Sequence, residues 1–240
     1  MIQPRPARAR GHANYGWLDT SHSFSFADYH DPAHMGWGTL RVINDDMVAP
    51  GKGFATHGHR DMEIISVVLE GTLAHKDNMG NGTTIRPGEV QRMSAGKGVM
   101  HSEFNPSPDE AAHFLQIWIV PNQRGGSPSY EQTRFDPEER VGRFQTLASP
   151  DGREGSVTIR QDATLSAIRL AAGSSAHTDL APDRKAYVHV VSGGVAVNGI
   201  ALSAGDGAKI ADEAHLEFTG TAPEGALSEV LLFDLNDPAS

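Results

Sequence analysis

The sequence predicts an all-β protein, and three observations support this class. Turn-forming pairs such as Pro87-Gly88 recur at short intervals between apolar runs. Asn198-Gly199 separates residues 195–197 from residues 200–202, which is a strong signal for a two-residue β-hairpin. Residues 115–119 alternate between two faces, as a strand with one side in the core does. Short strands at this spacing are typical of sandwiches and barrels.

The predicted elements follow one another along the chain. Strands are expected at residues 40–43, 63–73, 112–120, 157–170, 186–197, 215–218 and 229–235. Only residues 137–143 and the acidic residues 108–112 could support short helices. Residues 121–139 are rich in Pro, Gly, Ser, Gln and charge, which predicts a connector between two β halves.

The two halves share short similarities. Residues 67–71 (VVLEG) resemble residues 190–193 (VVSG), and Pro87-Gly88-Glu89 resembles Ala204-Gly205-Asp206. Each similarity pairs an apolar strand ending in glycine with a later Gly-acid turn. A duplicated β-barrel explains this arrangement economically.

Composition narrows the classes of function. The 240 residues carry a formal net charge of −10, which disfavours direct contact with nucleic acid. No apolar run approaches the roughly 18 residues of a membrane span, and no signal-peptide pattern follows the N-terminal arginines, so we expect a cytoplasmic protein. The absence of cysteine excludes disulfides and thiolate ligands. Any chemistry must therefore use nitrogen and oxygen donors, and the chain has 12 histidines.

Four of the donors fall into two doublets with strand spacing. His57 and His59 would project from one face of a strand, and His101 and Glu103 from one face of another. Three imidazoles and a carboxylate suit iron, manganese, nickel, copper or zinc. Glu63 shares the parity of the first doublet, so it is a rival ligand or a nearby hydrogen-bonding partner. A single histidine is more often a surface or packing residue, but two inward doublets favour a metal site.

These donors lie within two longer motifs, Gly51-x5-His57-x-His59-x3-Glu63 and Gly98-x2-His101-x3-Asn105, which resemble the two cupin motifs. Further characteristic runs are residues 10–26, 36–46 (GWGTLRVINDD), 57–63 (HGHRDME), 69–71, 93–103 (MSAGKGVMHSE), 130–132 and 229–235. Together these runs resemble the pirin family, particularly the bacterial pirin-like quercetinases.

The resemblance implies a bicupin, in which two β-barrel (double-stranded β-helix) domains pack face to face. An N-terminal metal-binding cupin domain is expected over residues 1–125, and a C-terminal cupin domain lacking a complete metal site over residues 126–240. The family's ligands match His57, His59, His101 and Glu103, which favours Glu103 over Glu63 as the ligand. One divalent transition metal is expected, with Fe2+ first and Mn, Ni, Co, Cu or Zn as alternatives.

The C-terminal half offers a check. Aligning Gly193 with Gly71 places Asp179 at the position of His57 and Ala181 at that of His59, so the first doublet is absent. His215-Leu216-Glu217 is similar to the second doublet, but too few donors remain to hold a metal. The other histidines have no partner at ligand spacing and are interpreted as surface or packing residues; they include His12, His22, His75, His113, His177 and His189. Trp17, Phe24 and Phe26 are interpreted as core and tether.

The resemblance also implies an activity, the opening of the heterocycle of a flavonol such as quercetin by dioxygen with loss of carbon monoxide. His57, His59 and His101 would hold the metal, Glu103 would be a ligand and a base, and Glu63 a nearby catalytic acid. The expected partners are a small aromatic, flavonol-like substrate and dioxygen.

Two alternatives remain open. Eukaryotic pirins are similar in sequence and act as redox-responsive regulators that contact other proteins, so a metal-binding regulatory protein without turnover is one alternative. A metal-assisted isomerase or another oxygenase is the second, because one fold hosts many chemistries.

Overall fold

Strands dominate the computed structural model, which describes residues 1–237. We number the strands in chain order. Those of the first half are β1 (Ile2–Arg5), β2 (Gly11–Asn14), β3 (Leu18–His22), β4 (Leu40–Val48), β5 (Gly53–His59), β6 (Glu63–Glu70), β7 (Leu73–Asp77), β8 (Gly82–Ile85), β9 (Glu89–Ser94), β10 (Val99–Phe104), β11 (Ala112–Ile119) and β12 (Ser129–Arg134).

The second half is also built mainly of strands. Its strands are β13 (Gln145–Ser149), β14 (Val157–Thr158), β15 (Ala163–Ala171), β16 (Ser175–Asp179), β17 (Lys185–Ser192), β18 (Gly194–Val197), β19 (Ile200–Ser203), β20 (Gly207–Ala211), β21 (His215–Gly220) and β22 (Leu227–Leu235). The helical elements are short 3-10 turns at Ala7–Ala9, Pro32–His34, Pro137–Arg140 and Arg153–Gly155. No helix within the described residues has the length and apolar character needed to cross a membrane.

Each half is a barrel made from one large and one small sheet. In the first barrel a seven-stranded sheet, in the order β12-β9-β6-β11-β4-β3-β2, faces a four-stranded sheet in the order β5-β10-β7-β8. In the second barrel the orders are β1-β20-β17-β22-β15-β13-β14 and β16-β21-β18-β19. The predicted all-β class and the two-barrel arrangement are confirmed.

The two large sheets pack against each other. Ile65 and Leu115 of the first barrel belong to the same buried apolar cluster as Leu165 and Phe233 of the second. Burial of apolar area on both sides stabilises this interface. Trp37 adds a hydrogen bond across it, because its Nε1–H donates to the carbonyl of Ala186 at 2.9 Å.

Several local predictions can be compared with this structure. The Asn198-Gly199 hairpin is confirmed, with φ of 45° and 81° at the two turn residues, as a type I′ turn requires. The helix predicted at residues 137–143 is a 3-10 turn that ends at Arg140. Residues 108–112 form no helix, because the segment bends and then enters β11, whose pairing with two strands outweighs local preference.

The division at residues 125 and 126 stays a prediction, and two strands pair across it. β1 pairs with β20 of the second barrel. β12 lies inside the expected connector at residues 121–139 and pairs with β9 of the first barrel. Edge pairing of this kind satisfies backbone groups that would otherwise be left unpaired.

Candidate metal centre

Two neighbouring strands of the small sheet in the first barrel, the edge strand β5 and β10, bring the histidines together. β5 and β10 pair antiparallel with His57 opposite His101, and His59 lies on the same face as His57. The Nε2 atoms of His57 and His101 are 3.1 Å apart. The centroid of the His59 ring lies 4.7 Å from the centroid of the His57 ring and 4.9 Å from that of the His101 ring. The three ligand nitrogens therefore converge on one point at the barrel wall.

Local contacts prepare these rings to act as ligands. His57 Nδ1 lies 2.8 Å from the carbonyl oxygen of Ala55. Since a carbonyl only accepts, Nδ1 carries the proton and Nε2 keeps its lone pair. Burial, together with the neighbouring His57, lowers the pKa of His59 to about 4 and that of His101 to about 3. Both rings are thus neutral near pH 7, which metal binding requires.

The spacing of the nitrogens fits one transition metal ion. Two ligands bound at about 2.1 Å and at right angles around one ion lie about 3.0 Å apart, close to the 3.1 Å between His57 Nε2 and His101 Nε2. Without an ion, two lone pairs at this distance would repel each other. The donor set is nitrogen and oxygen, which suits first-row transition metals.

Glu103 follows His101 by two residues on β10 and is buried beside the cluster. A bulge in the pairing of β5 and β10 places Glu103 opposite Phe54. Its carboxylate accepts hydrogen bonds from Gln116 Nε2 at 2.8 Å and from the Ser66 hydroxyl at 3.3 Å. Burial raises the pKa of Glu103. One carboxylate oxygen lies within 4.8 Å of ligand nitrogens of His75 and His101.

The structure does not bring Glu63 to this cluster, so the expected inward acid needs correction. The chain bends between β5 and β6, where Asp61 has φ of 50°, and the parity does not carry through. Glu63 therefore lies on the face of β6 that packs on the second barrel. Its carboxylate accepts hydrogen bonds from the Ser94 hydroxyl at 2.7 Å and from the backbone N–H of Arg160 at 3.2 Å. Burial raises its pKa.

A cavity of about 610 Å³ opens onto the metal-binding face. His57, His59 and Glu103 lie in its lining. The rest of the wall is aromatic, polar and aliphatic. The aromatic residues are Tyr15, Trp17, Phe26, Phe54 and Trp118, the polar ones are Thr20, His22, Asn44, Asp46 and Gln116, and the small or aliphatic ones are Leu18, Ala27, Gly53 and Ala55.

Comparison with known proteins agrees with this geometry. A family model described as Pirin matches residues 3–119, and one described as Quercetinase C-terminal cupin domain matches residues 146–235. The chain belongs to the pirin family. This pirin is 48% identical over 235 residues to quercetin 2,3-dioxygenase of Escherichia coli (strain K12), covering 98% of this chain and 99% of that protein.

Two further relatives extend the comparison. A pirin-like protein of Caulobacter vibrioides is 45% identical over 235 residues, covering 98% of this pirin and 99% of that protein. The crystal structure of the bacterial pirin YhhW from Escherichia coli in complex with nickel(II) superposes with a TM-score of 0.93 at 47% identity, covering 99% of this chain and 100% of that one. The resemblance predicted from sequence is confirmed, and a site for one transition metal is supported.

Sequence reasoning missed several residues of the site in this pirin. Trp17 and Phe26, interpreted as core or tether, line the cavity, whereas Phe24 is part of the core between the barrels. His22 also lines the cavity, and its Nδ1 lies 2.8 Å from Asn44 Oδ1. His75 is buried against His101. A usable signal existed for His75, because His75-x-Asp77 has the same two-residue spacing as the metal doublets.

The second barrel presents the corresponding strands differently. β16 and β21 pair Asp179 with His215, just as β5 and β10 pair His57 with His101. His215 is nevertheless exposed, as is Glu217, while Leu216 and Phe218 point inward and are completely buried. Within residues 1–237, the clusters that bring three ligand atoms within 4.8 Å of one another lie in the first barrel.

Proposed function

We propose that this protein is a metal-dependent dioxygenase that opens the heterocycle of flavonols such as quercetin. The observation that carries the proposal is the convergence of His57, His59 and His101 beside a cavity of about 610 Å³, which His57 and His59 line. A cavity of this size suits a small aromatic molecule. The Escherichia coli relative that is 48% identical over 98% of this chain is a quercetin 2,3-dioxygenase, which supports the reaction class.

We propose His57, His59, His101 and Glu103 as the ligands of one divalent transition metal, with Fe2+ as the native ion. Mn, Ni, Co, Cu and Zn remain alternatives, and the relative crystallised with nickel(II) supports a transition metal without fixing its identity. When bound, the ion would act as a Lewis acid that lowers the pKa of a coordinated substrate hydroxyl and brings dioxygen close to the substrate.

The chain's own residues supply binding and proton transfer. Trp17, Phe26 and Trp118 form flat apolar walls that can hold an aromatic ring system and exclude water. Glu103 is the proposed acceptor of the substrate hydroxyl proton. Burial makes Glu103 more basic than an exposed carboxylate, and Gln116 holds it in place.

The test is turnover by the metal-reconstituted full chain. Protein is loaded anaerobically with each candidate ion and mixed with quercetin and dioxygen, and oxygen uptake and carbon monoxide release are measured together. We expect equimolar oxygen uptake and carbon monoxide release. His59→Ala should abolish both, whereas His177→Ala, which removes an exposed histidine of the second barrel, should leave both unchanged.

The same experiment separates the alternatives. Oxygen uptake without carbon monoxide would indicate a different oxygenase reaction. Tight metal binding that depends on His59, without turnover by any ion, would favour the pirin-type regulatory protein, with a protein partner in place of a substrate. A cytoplasmic location stays a prediction.

A further inference from the structure

A buried chain of side chains runs from His101 away from the cavity. His101 Nδ1 lies 3.4 Å from His75 Nδ1, and His75 Nε2 lies 3.2 Å from Asp77 Oδ2. All three residues are buried. β7 and β10 hold them in register, with Asp77 opposite His101 and His75 opposite Glu103. The ring of Tyr130 covers His75 at 4.9 Å.

Asp77 is held as a fixed acceptor at the far end of this chain. Its Oδ1 accepts hydrogen bonds from the backbone N–H groups of Met79 at 2.9 Å and Asn81 at 3.0 Å. Its Oδ2 accepts another from Asn81 Nδ2 at 2.8 Å. Burial opposes ionisation of Asp77, but the hydrogen bonds from Asn81 and His75 outweigh it and lower the pKa of Asp77.

This arrangement determines which nitrogen of each ring carries the proton. Asp77 can only accept, so His75 Nε2 must carry a proton and donate it. Neutral His75 then has a lone pair on Nδ1, which faces His101 Nδ1. His101 must therefore carry its own proton on Nδ1, which leaves the lone pair on Nε2. That nitrogen is the one beside His57 Nε2.

We propose that Asp77 and His75 are positioning residues that fix the tautomer and ring orientation of His101 for metal binding. The proposal rests on the metal site proposed above. It gives His101 the kind of hydrogen-bonded support that His57 receives from the carbonyl of Ala55. The difference is that the support of His101 depends on two side chains, so substitution can test it.

Asp77→Asn is the sharpest variant because it keeps the shape of the side chain. The amide oxygen would remain at Oδ1, where two backbone N–H groups donate, so the amide NH2 would face His75 Nε2. His75 would then carry its proton on Nδ1. His101 would have to move its own proton to Nε2, where the metal binds.

The affinity of the full chain for Ni2+ is measured by competition with a coloured chelator. We expect Asp77→Asn to weaken binding by about 10- to 100-fold, the usual effect of removing such a supporting group. His75→Leu should weaken it similarly, and His75→Asn, whose side-chain oxygen can accept from His101 Nδ1–H, should restore most of the affinity. Asp179→Asn is the matched control, because it changes an exposed His–Asp pair of the second barrel.

A second measurement reports the tautomers directly. Nitrogen-15 NMR of histidine-labelled, metal-free protein should show the His101 proton on Nδ1 in the wild type and on Nε2 in Asp77→Asn. With 113Cd2+ as the probe, coupling to the metal is expected at Nε2 of His57 and His101 and not at His75. Coupling at His75 would make it a ligand and overturn the positioning role.

His101→Ala distinguishes the two levels of the proposal. If His101→Ala loses Ni2+ while Asp77→Asn binds like the wild type, the positioning role is wrong and the metal site stands. If His101→Ala also binds like the wild type, the proposed metal site and the positioning role are both wrong.

Discussion

The two barrels share an architecture but differ in what their small sheets turn inward. In the first barrel β10 presents His101 and Glu103 to the interior, while in the second β21 presents Leu216 and Phe218. His57 and His101 form a pair that faces the interior of the first barrel. Asp179 and His215 form the corresponding pair of the second barrel, and this pair faces solvent. A change of parity is enough to convert a donor-lined wall into an apolar core.

The shared features confirm that the difference lies in the site and not in the scaffold. Gly71 and Gly193, aligned from sequence, have φ of 73° and 70°. At each, a Cβ would meet neighbouring backbone, at 2.5 Å from the oxygen of Ala111 and 2.9 Å from the Cα of Ser228. A similar turn therefore follows β6 in the first barrel and β17 in the second, which occupy the same place in their large sheets. We infer that the second barrel mainly stabilises the fold while the first carries the chemistry.

The largest expected effect comes from removing one donor. His101→Ala should reduce Ni2+ affinity by at least about 1000-fold, equivalent to about 4 kcal/mol, because it removes one of the three nitrogens proposed to bind one ion. His215→Ala removes the histidine at the paired position of the second barrel and should change nothing measurable. Chelator competition measures both. Equal losses in the two variants would contradict the assignment of the site to the first barrel.

The next effect tests the second barrel as a source of stability. Phe218 is completely buried among apolar neighbours, so Phe218→Ala should lower the free energy of unfolding by about 3 kcal/mol. Urea denaturation measures this. Ni2+ affinity of the folded variant should match that of the wild type. Phe54→Ala, at the partly exposed wall of the first barrel, should cost less stability and instead impair substrate binding.

Much of this comparison could be predicted from sequence because local patterns carry it. The His57-x-His59 and His101-x-Glu103 doublets survive as inward faces, since strand periodicity is robust over a few residues. The alternation of faces failed where the chain bends between β5 and β6. Glu63 was expected inward through Asp61, whose left-handed backbone reverses the face.

Tertiary contacts were beyond sequence reasoning. His75 lies 26 residues from His101 in the chain, and only the pairing of β7 with β10 brings them together. The residues of the cavity wall were missed for the same reason. Trp17, which directly precedes β3, contacts Phe54, a residue distant from it in the sequence. Patterns within one strand were readable, whereas neighbours across strands were not.

A buried histidine of the second barrel should make the stability of the protein depend on pH. His189 of the second barrel is buried, and within residues 1–237 its Nδ1 has no hydrogen-bonding partner. Burial, followed by the charge of Arg10, lowers the pKa of His189 to about 4. Between pH 6.5 and 4 the unfolded chain therefore binds more protons at His189 than the folded chain does. The free energy of unfolding consequently decreases as the pH falls through this window.

The predicted slope is up to about 1.4 kcal/mol for each pH unit. His189→Leu removes this group, so its free energy of unfolding should fall less steeply than that of the wild type between pH 6.5 and 4. Urea titrations of both metal-free proteins across the window measure the difference, in which the shared contribution of the metal-site histidines cancels. Parallel curves would show that His189 does not titrate on unfolding in this window.

The smallest effect concerns two His–Asp pairs that differ in burial. Asp179 and His215 form an exposed pair at 2.7 Å, and Asp77 and His75 a buried one at 3.2 Å. Solvent screening makes the exposed pair nearly neutral for stability, so Asp179→Asn should change the free energy of unfolding by less than about 0.5 kcal/mol. Asp77→Asn should cost more, because it places a donor where His75 and Asn81 both donate. Equal losses of the free energy of unfolding in the two variants would contradict this prediction. They would mean that the buried His–Asp pair of the first barrel contributes no more to stability than the exposed pair of the second.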